Sequence, residues 1–301
     1  MPELPEVETV RVGMQRVLPG RTLTRIEVRR ADLRYPIPVE AVSALTGTRI
    51  ASVRRRGKYL LFACESGSEQ RVLLVHLGMS GRLFAETSTS PAPPWLKHEH
   101  WRASFDGGAG CPESDEEGSS DGEEPAGDLL LRYVDARRFG ALDAMNSADV
   151  PVHRLLASLG PEPLGSGFSP DYVFGATRDR AVAIKQWLMN SKHVVGVGNI
   201  YASEALWRAR VAPARAAGKM SRPECQRLVG AVRAVLEEAI AAGGTTLRDF
   251  VNGDGAPGYF QQRLDVYGRE GGQCHRCTDG VEIRRTVQQG RATYDCPVCQ
   301  G

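Results

Sequence analysis

No stretch of this 301-residue chain supplies the roughly 18 consecutive apolar side chains that a membrane-spanning helix needs. The opening residues, MPELPEVETV, also lack the basic start and apolar run of an export signal. Both absences predict a cytoplasmic protein. An even cysteine count is missing as well: seven cysteines in a chain without an export signal argue against a disulfide framework. Net charge is slight, at +2, but it is unevenly spread. Residues 111–128, CPESDEEGSSDGEEPAGD, hold eight acidic and no basic side chains. Elsewhere 38 basic groups face the other 28 of the 36 acidic ones, so the rest of the chain carries +10. A basic body fits a polyanionic partner.

What is present fits about two globular domains, with an ordinary 42% of hydrophobic residues. Four of the cysteines fall near the end of the sequence as CHRC (Cys274, Cys277) and CPVC (Cys296, Cys299), separated by eighteen residues. Two such knuckles bring four thiolates to tetrahedral geometry, the spacing of a zinc ribbon binding one structural Zn2+. The intervening VEIRRTVQQGRATY is expected to form a hairpin turning at Gln289-Gly290, with Arg291 at its tip.

At the other end, Pro5 and the acidic Glu6 and Glu8 are expected to open a helix. Val7, Val10, Met14, Val17 and Leu18 form its apolar stripe, and Gly20 stops it. That accounts for Pro5 and leaves Pro2 unexplained. Once Met1 is removed, Pro2 is a free secondary amine with Glu3 beside it, a possible nucleophile next to a proton carrier.

Strand signals follow: RIEV, RIASV, KYLLFAC, RVLLVHL, GRLFAE, WRASF and LLLRYVD. The acidic stretch, about 107–128, lies between the last two and is expected to be a disordered insertion. From NSADVPVHRLLASLG onward the signals turn helical, most clearly over 221–242, capped by Ser221 and ended by Gly243. Shorter helices are expected over AVAIKQWLMN and IYASEALWRAR. Between these two lies SKHVVGVGN. Its glycines are either structural or part of a helix N-terminus whose amides suit a phosphate.

PELPEVE, GKYLLF, HLGMSG, DARRFG, GVGNIYASEALW, GGTTLRDF, GAPGYFQQRLDVYGREG and the paired CxxC knuckles together resemble the formamidopyrimidine-DNA glycosylase family, in that family's order and over nearly the whole chain. The resemblance implies an α+β multidomain protein. An N-terminal β-sandwich with flanking helices would cover 1–145, a helix-two-turn-helix domain 146–265, and a zinc finger 266–301. DNA would lie in a cleft between them, and the enzyme is expected to act as a monomer. It would excise oxidised purines from duplex DNA and nick the strand. Pro2 would be the nucleophile and Glu3 the acid/base.

Lys58, taken alone, reads as a solvated lysine at a strand start; the resemblance makes it a contact to the phosphate beside the lesion, with a catalytic contribution besides. Met79 and Phe139, taken alone, read as core residues; the resemblance makes them, with Arg137, the wedge that fills the stack when a base is flipped out. It further implies phosphate contacts for Asn199, Arg291 and Arg138, lesion-side positions for Lys185 and Arg248, and a capping loop in VNGDGAPGYF. Three other functions compete: an endonuclease VIII-like enzyme for oxidised pyrimidines, a non-catalytic zinc-ribbon DNA-binding protein, and a tautomerase using an N-terminal proline. Leu4 and the intact DARRFG favour the purine enzyme over the first of these, and the second leaves Pro2-Glu3 without a role.

Overall fold

The computed structural model describes residues 2–88, 93–107, 127–244 and 264–301. Most of the acidic stretch, Arg248 and the loop VNGDGAPGYF lie outside the described residues. The chain forms two compact units. One is built on Val7–His153 and includes Pro2; the other holds Glu3–Glu6 with residues 154–244 and 264–301.

In the first unit, helix α1 (Leu4–Val17), from Val7 onward, sends Val7, Val10 and Met14, together with Leu18 just beyond it, into the core. These positions recur every three or four residues, so they share one helix face. Val17, expected in that stripe, stands 39% exposed, because Leu18 fills the core at that level. The strands are β1 (Leu23–Val28), β2 (Arg49–Arg56), β3 (Tyr59–Ser66), β4 (Glu69–His76), β5 (Arg82–Thr87), β6 (Glu99–Phe105), β7 (Leu129–Val134) and β8 (Ala141–Asn146). They pair antiparallel in two four-stranded sheets, ordered β1-β6-β7-β5 and β2-β3-β4-β8.

Alternate residues of both sheets meet in one core. Phe62, Leu73, Val75 and Leu142 come from one sheet, and Trp101, Phe105, Leu131 and Tyr133 from the other. Strand β8, ALDAMN, carries no strand signal, with Asp143 in its middle and few branched residues. Pairing along β4 holds it extended. A short helix, α2 (Val39–Ser43), completes the unit.

The second unit contains α3 (Pro170–Thr177), α4 (Ile184–Leu188), α5 (Asn199–Ala209) and α6 (Arg222–Ala241). Helix α6 matches the expected span: Ser221 and Glu224 form a capping box, and Leu228, Val232, Val235, Leu236 and Ala239 are buried. Helix α4 is shorter than AVAIKQWLMN. The segment after Asn146, expected to begin the helices, forms instead a 3-10 helix over Ser147–Val152 interrupted by Pro151. Strands β9 (Arg284–Gln288) and β10 (Arg291–Asp295) form the hairpin expected at Gln289-Gly290. Both turn residues have positive φ, +47° and +71°, as a tight two-residue turn requires. Among the described residues no helix is long and apolar enough to cross a membrane.

Candidate functional site

The glutamate beside Pro2 is held by an unusual number of backbone groups. The Glu3 side chain is buried, and its carboxylate accepts N–H bonds from Gly198 at 2.7 Å, Ile200 at 3.0 Å and Tyr201 at 3.4 Å. These are amides at the start of α5, where the helix has no partner of its own for them and the dipole favours an anion. The amides expected to await a phosphate are therefore occupied by the chain's own carboxylate.

The glycines of GVGN make this possible. Gly196 takes φ +82°, and its carbonyl accepts the Leu4 N–H at 3.0 Å. A Cβ on Gly198 would lie 2.3 Å from the Glu3 carboxyl carbon. Glu6, expected only to favour the helix dipole, does more. Its carboxylate accepts the Glu3 N–H at 2.8 Å and the Tyr201 hydroxyl at 2.6 Å, and the residue is buried. The spacing of Glu3 and Glu6 is that of one half of a capping box, the signal by which Glu6 could have been found. Backbone and side chain of Glu3 are thus fixed one peptide bond from Pro2, itself buried.

Lys185, Asn199 and Arg291 come together in the same unit. The Lys185 ammonium donates to the Ala292 carbonyl at 3.1 Å and the Thr293 hydroxyl at 2.7 Å, and the Asn199 amide donates to the same carbonyl at 2.9 Å. Lys185, Gln186, Asn190, Gln288, Gln289 and Arg291 border a pocket of about 400 Å³. Burial is the main cause that pushes the Lys185 ammonium down to about 8; Glu3 opposes that shift and Arg291 adds to it. Arg291 is exposed beside the hairpin turn.

In the sheet unit Lys58 occupies the two-residue turn between β2 and β3. Its charge bears on His76, half-buried at the end of β4, which sequence reasoning passed over. Burial first, then the charges of Lys58 and Arg34, push the His76 imidazole down to about 4. Its Nδ1 lies 3.0 Å from the Gly78 N–H and so is the acceptor of a neutral ring. The ring lies against Tyr59, centroids 4.7 Å apart.

Phe139 is 40% exposed, Arg137 is exposed and Met79 half-buried, so Phe139 does not serve the core. The Arg137 guanidinium lies 4.9 Å from the centre of the Phe139 ring. Arg138 has a left-handed backbone, φ +57°, and pairs with Asp32 at 2.8 Å.

The sulfurs of Cys274, Cys277, Cys296 and Cys299 all lie within 4.8 Å of one another. Cys274 and Cys299 are 3.9 Å apart, and Cys277 and Cys296 3.7 Å. Thiolates bound to zinc at ~2.3 Å in a tetrahedron stand about 3.8 Å apart, so this set fits one zinc ion. The Trp207 indole N–H reaches the Cys274 sulfur at 3.4 Å, and Arg276 stacks on the Trp207 ring at 4.0 Å. The cluster therefore joins the far end of α5, whose near end holds Glu3. Between them, the buried Glu204 carboxylate accepts the N–H groups of Asp265, Val266 and Tyr267 at 2.8 to 3.0 Å.

Two family models match: the formamidopyrimidine-DNA glycosylase N-terminal domain over residues 1–142, and the H2TH domain of the same glycosylase over 159–251. A formamidopyrimidine-DNA glycosylase of Thioalkalivibrio sulfidiphilus is 49% identical over 300 residues, covering all of both chains. Among solved structures, a complex between the Lactococcus lactis Fpg and an abasic site containing DNA is 31% identical with a TM-score of 0.83, covering 99% of each chain. MutM in complex with carbocyclic 8-oxo-G containing DNA is 32% identical with a TM-score of 0.82, again over 99% of each. Matches of this extent set aside the three competing readings: the chain belongs to the formamidopyrimidine-DNA glycosylase family.

Proposed function

We propose that this chain excises oxidised purines from duplex DNA and cleaves the strand at the resulting abasic site, with Pro2 as nucleophile and Glu3 as acid/base. The observation that carries the reading is the fixed Glu3 carboxylate, one peptide bond from the proline. The Pro2 nitrogen attacks the sugar's anomeric carbon, and the bond to the damaged base breaks with its electron pair, the base leaving with a proton. The Glu3 carboxylate takes up the proton that the attacking nitrogen gives up and delivers it to the ring oxygen as the ring opens, which gives a Schiff base. Because proline is a secondary amine, this imine carries no N–H and stays cationic. It acts as an electron sink while β- and then δ-elimination release the two phosphates.

Lys58 would meet the phosphate next to the lesion; Asn199, Arg291 and Arg138 would meet other phosphates, and Lys185 and Arg248 the lesion side. Such contacts hold the duplex without reading its sequence, as a scanning enzyme needs. Met79, Arg137 and Phe139 would fill the stack, with Arg137 facing the orphan base. Cytosine presents two adjacent acceptors to a guanidinium, whereas adenine presents one beside a donor. Zinc on Cys274, Cys277, Cys296 and Cys299 supplies no chemistry; it fixes the finger that carries Arg291. We place the enzyme in the cytoplasm, at the nucleoid, with domains at 1–145, 146–265 and 266–301.

The deciding experiment compares duplexes carrying 8-oxoguanine opposite cytosine with duplexes carrying thymine glycol. Release of 8-oxoguanine and a gap with phosphate at both ends is expected; preferential release of thymine glycol would overturn the purine assignment. The low pKa of Lys185 adds a pH test. Its ammonium is charged below about 8 and neutral above, and a bound phosphate would favour the charged form. DNA affinity should therefore fall as pH rises from 7 to 9, by roughly tenfold for one linked proton. That component should be absent in Lys185→Gln, whose pH profile, if the same as the native one, would remove Lys185 from the interface.

A further inference from the structure

Two loops of the sheet unit carry the proposed wedge: residues 77–81, with Met79, and residues 135–140, with Arg137, Arg138 and Phe139. They pack backbone against backbone. A Cβ on Gly78 would lie 2.4 Å from the Phe139 carbonyl carbon, and one on Gly140 would lie 2.7 Å from the His76 carbonyl oxygen. Beneath both loops lies Asp135, fully buried. Its Oδ1 accepts the Ser80 hydroxyl at 2.6 Å and the Arg137 N–H at 3.2 Å. Its Oδ2 accepts the Gly140 N–H at 2.9 Å and the Tyr133 hydroxyl at 3.1 Å. The Ser80 oxygen in turn lies 3.3 Å from the Arg137 N–H.

One carboxylate thus grips the first loop at Ser80 and the second at both ends of its exposed segment, Arg137 and Gly140. That segment contains the left-handed Arg138, a backbone state a non-glycine residue keeps only where its surroundings enforce it. Tyr133 supports the same arrangement from below. Burial, then the Asp135 charge, hold its phenol well above the ordinary value, so it remains a donor.

We propose that Asp135 is the positioning residue of the wedge, locking the Met79 loop and the Arg137–Phe139 loop into one body so that Arg137 meets the orphan base in a fixed pose. This rests on the wedge reading above. Asp135 itself touches no DNA. All four groups facing the carboxylate are donors, so asparagine is no substitute. Its amide NH2 would confront either the Arg137 or the Gly140 N–H, neither of which can turn round to accept.

The test is the ratio of 8-oxoguanine excision opposite cytosine to excision opposite adenine, measured at saturating enzyme. The ratio is internal to each protein, so a uniform loss of folded enzyme does not move it. Native enzyme should show a ratio in the range of roughly 5- to 150-fold that a good bidentate contact provides. Asp135→Asn should bring it close to one. Ser80→Ala, which removes only the link between the loops, should lower it about threefold or more, and Ser80→Thr, which keeps the hydroxyl, should restore it. The Ser80 pair decides if Asp135→Asn does not fold. Fluorescence of 2-aminopurine placed as the orphan base should report the same order of variants. A high native ratio that survives both Asp135→Asn and Ser80→Ala overturns the role of Asp135. A native ratio near one overturns the wedge reading itself.

Discussion

Enzyme that keeps any residue ahead of Pro2 is expected to give no borohydride-trapped adduct with an 8-oxoguanine duplex, whereas enzyme beginning at Pro2 cross-links. A retained Met1 turns the proline nitrogen into a tertiary amide, which has no lone pair to give. Free, the same nitrogen is an α-amine, a class that titrates near pH ~7.7–8, so a useful part of it is neutral at cellular pH. Loss of a covalent nucleophile typically costs on the order of a thousandfold or more in turnover. Excision and nicking should both fall by at least that much. Binding of undamaged duplex should change little, because a retained Met1 removes none of the side chains proposed to meet phosphates, Lys58, Asn199 and Arg291 among them. Mapping the adduct in the native enzyme provides the check. An adduct on Lys58, or full trapping with Met1 retained, would take the nucleophile's role from Pro2.

The sequence carried the pieces of this site that are local and lost those made by distant partners. The zinc knuckles, the Gln289-Gly290 turn and the Ser221 cap each depend on neighbours a few residues apart, and each stands where it was expected. Glu3 and the amides it accepts are about 195 residues apart, so nothing in PELPEVE shows that the α5 terminus belongs to a carboxylate rather than a phosphate. For Glu6 only the Tyr201 hydroxyl is distant, 195 residues on; its bond to the Glu3 N–H spans three residues and was local enough to read. Asp135 was visible only as a letter of DARRFG, since its partner on the other loop, Ser80, lies 55 residues earlier. His76 ends a strand of apolar residues, and only the fold brings the charges of Lys58 and Arg34 to bear on it. Strand β8 was missed because its extended form comes from pairing with β4, not from its own side chains.

Glu3 offers a prediction in which a glycine should matter almost as much as the catalytic group. Glu3→Gln keeps the shape but removes proton transfer, and it presents an NH2 to a nest of N–H donors that a carboxylate satisfied. General acid–base catalysis contributes about 10²–10⁴-fold, so excision of 8-oxoguanine should fall by about that factor. Gly198→Ala attacks the same group from the other side. The backbone there is extended, with φ −125°, which alanine adopts, so strain in the turn is not the issue. The added methyl would instead lie 2.3 Å from the Glu3 carboxyl carbon, and the carboxylate must leave the start of α5. Gly198→Ala should therefore lose most of what Glu3→Gln loses, though alanine touches no DNA chemistry of its own. Because both act through one carboxylate, the double variant should be little worse than the more damaged single. Single-turnover excision rates for the two singles and the double decide it. Losses that multiply, or an alanine variant as fast as the native enzyme, would show that the docked position of Glu3 is not the one that works.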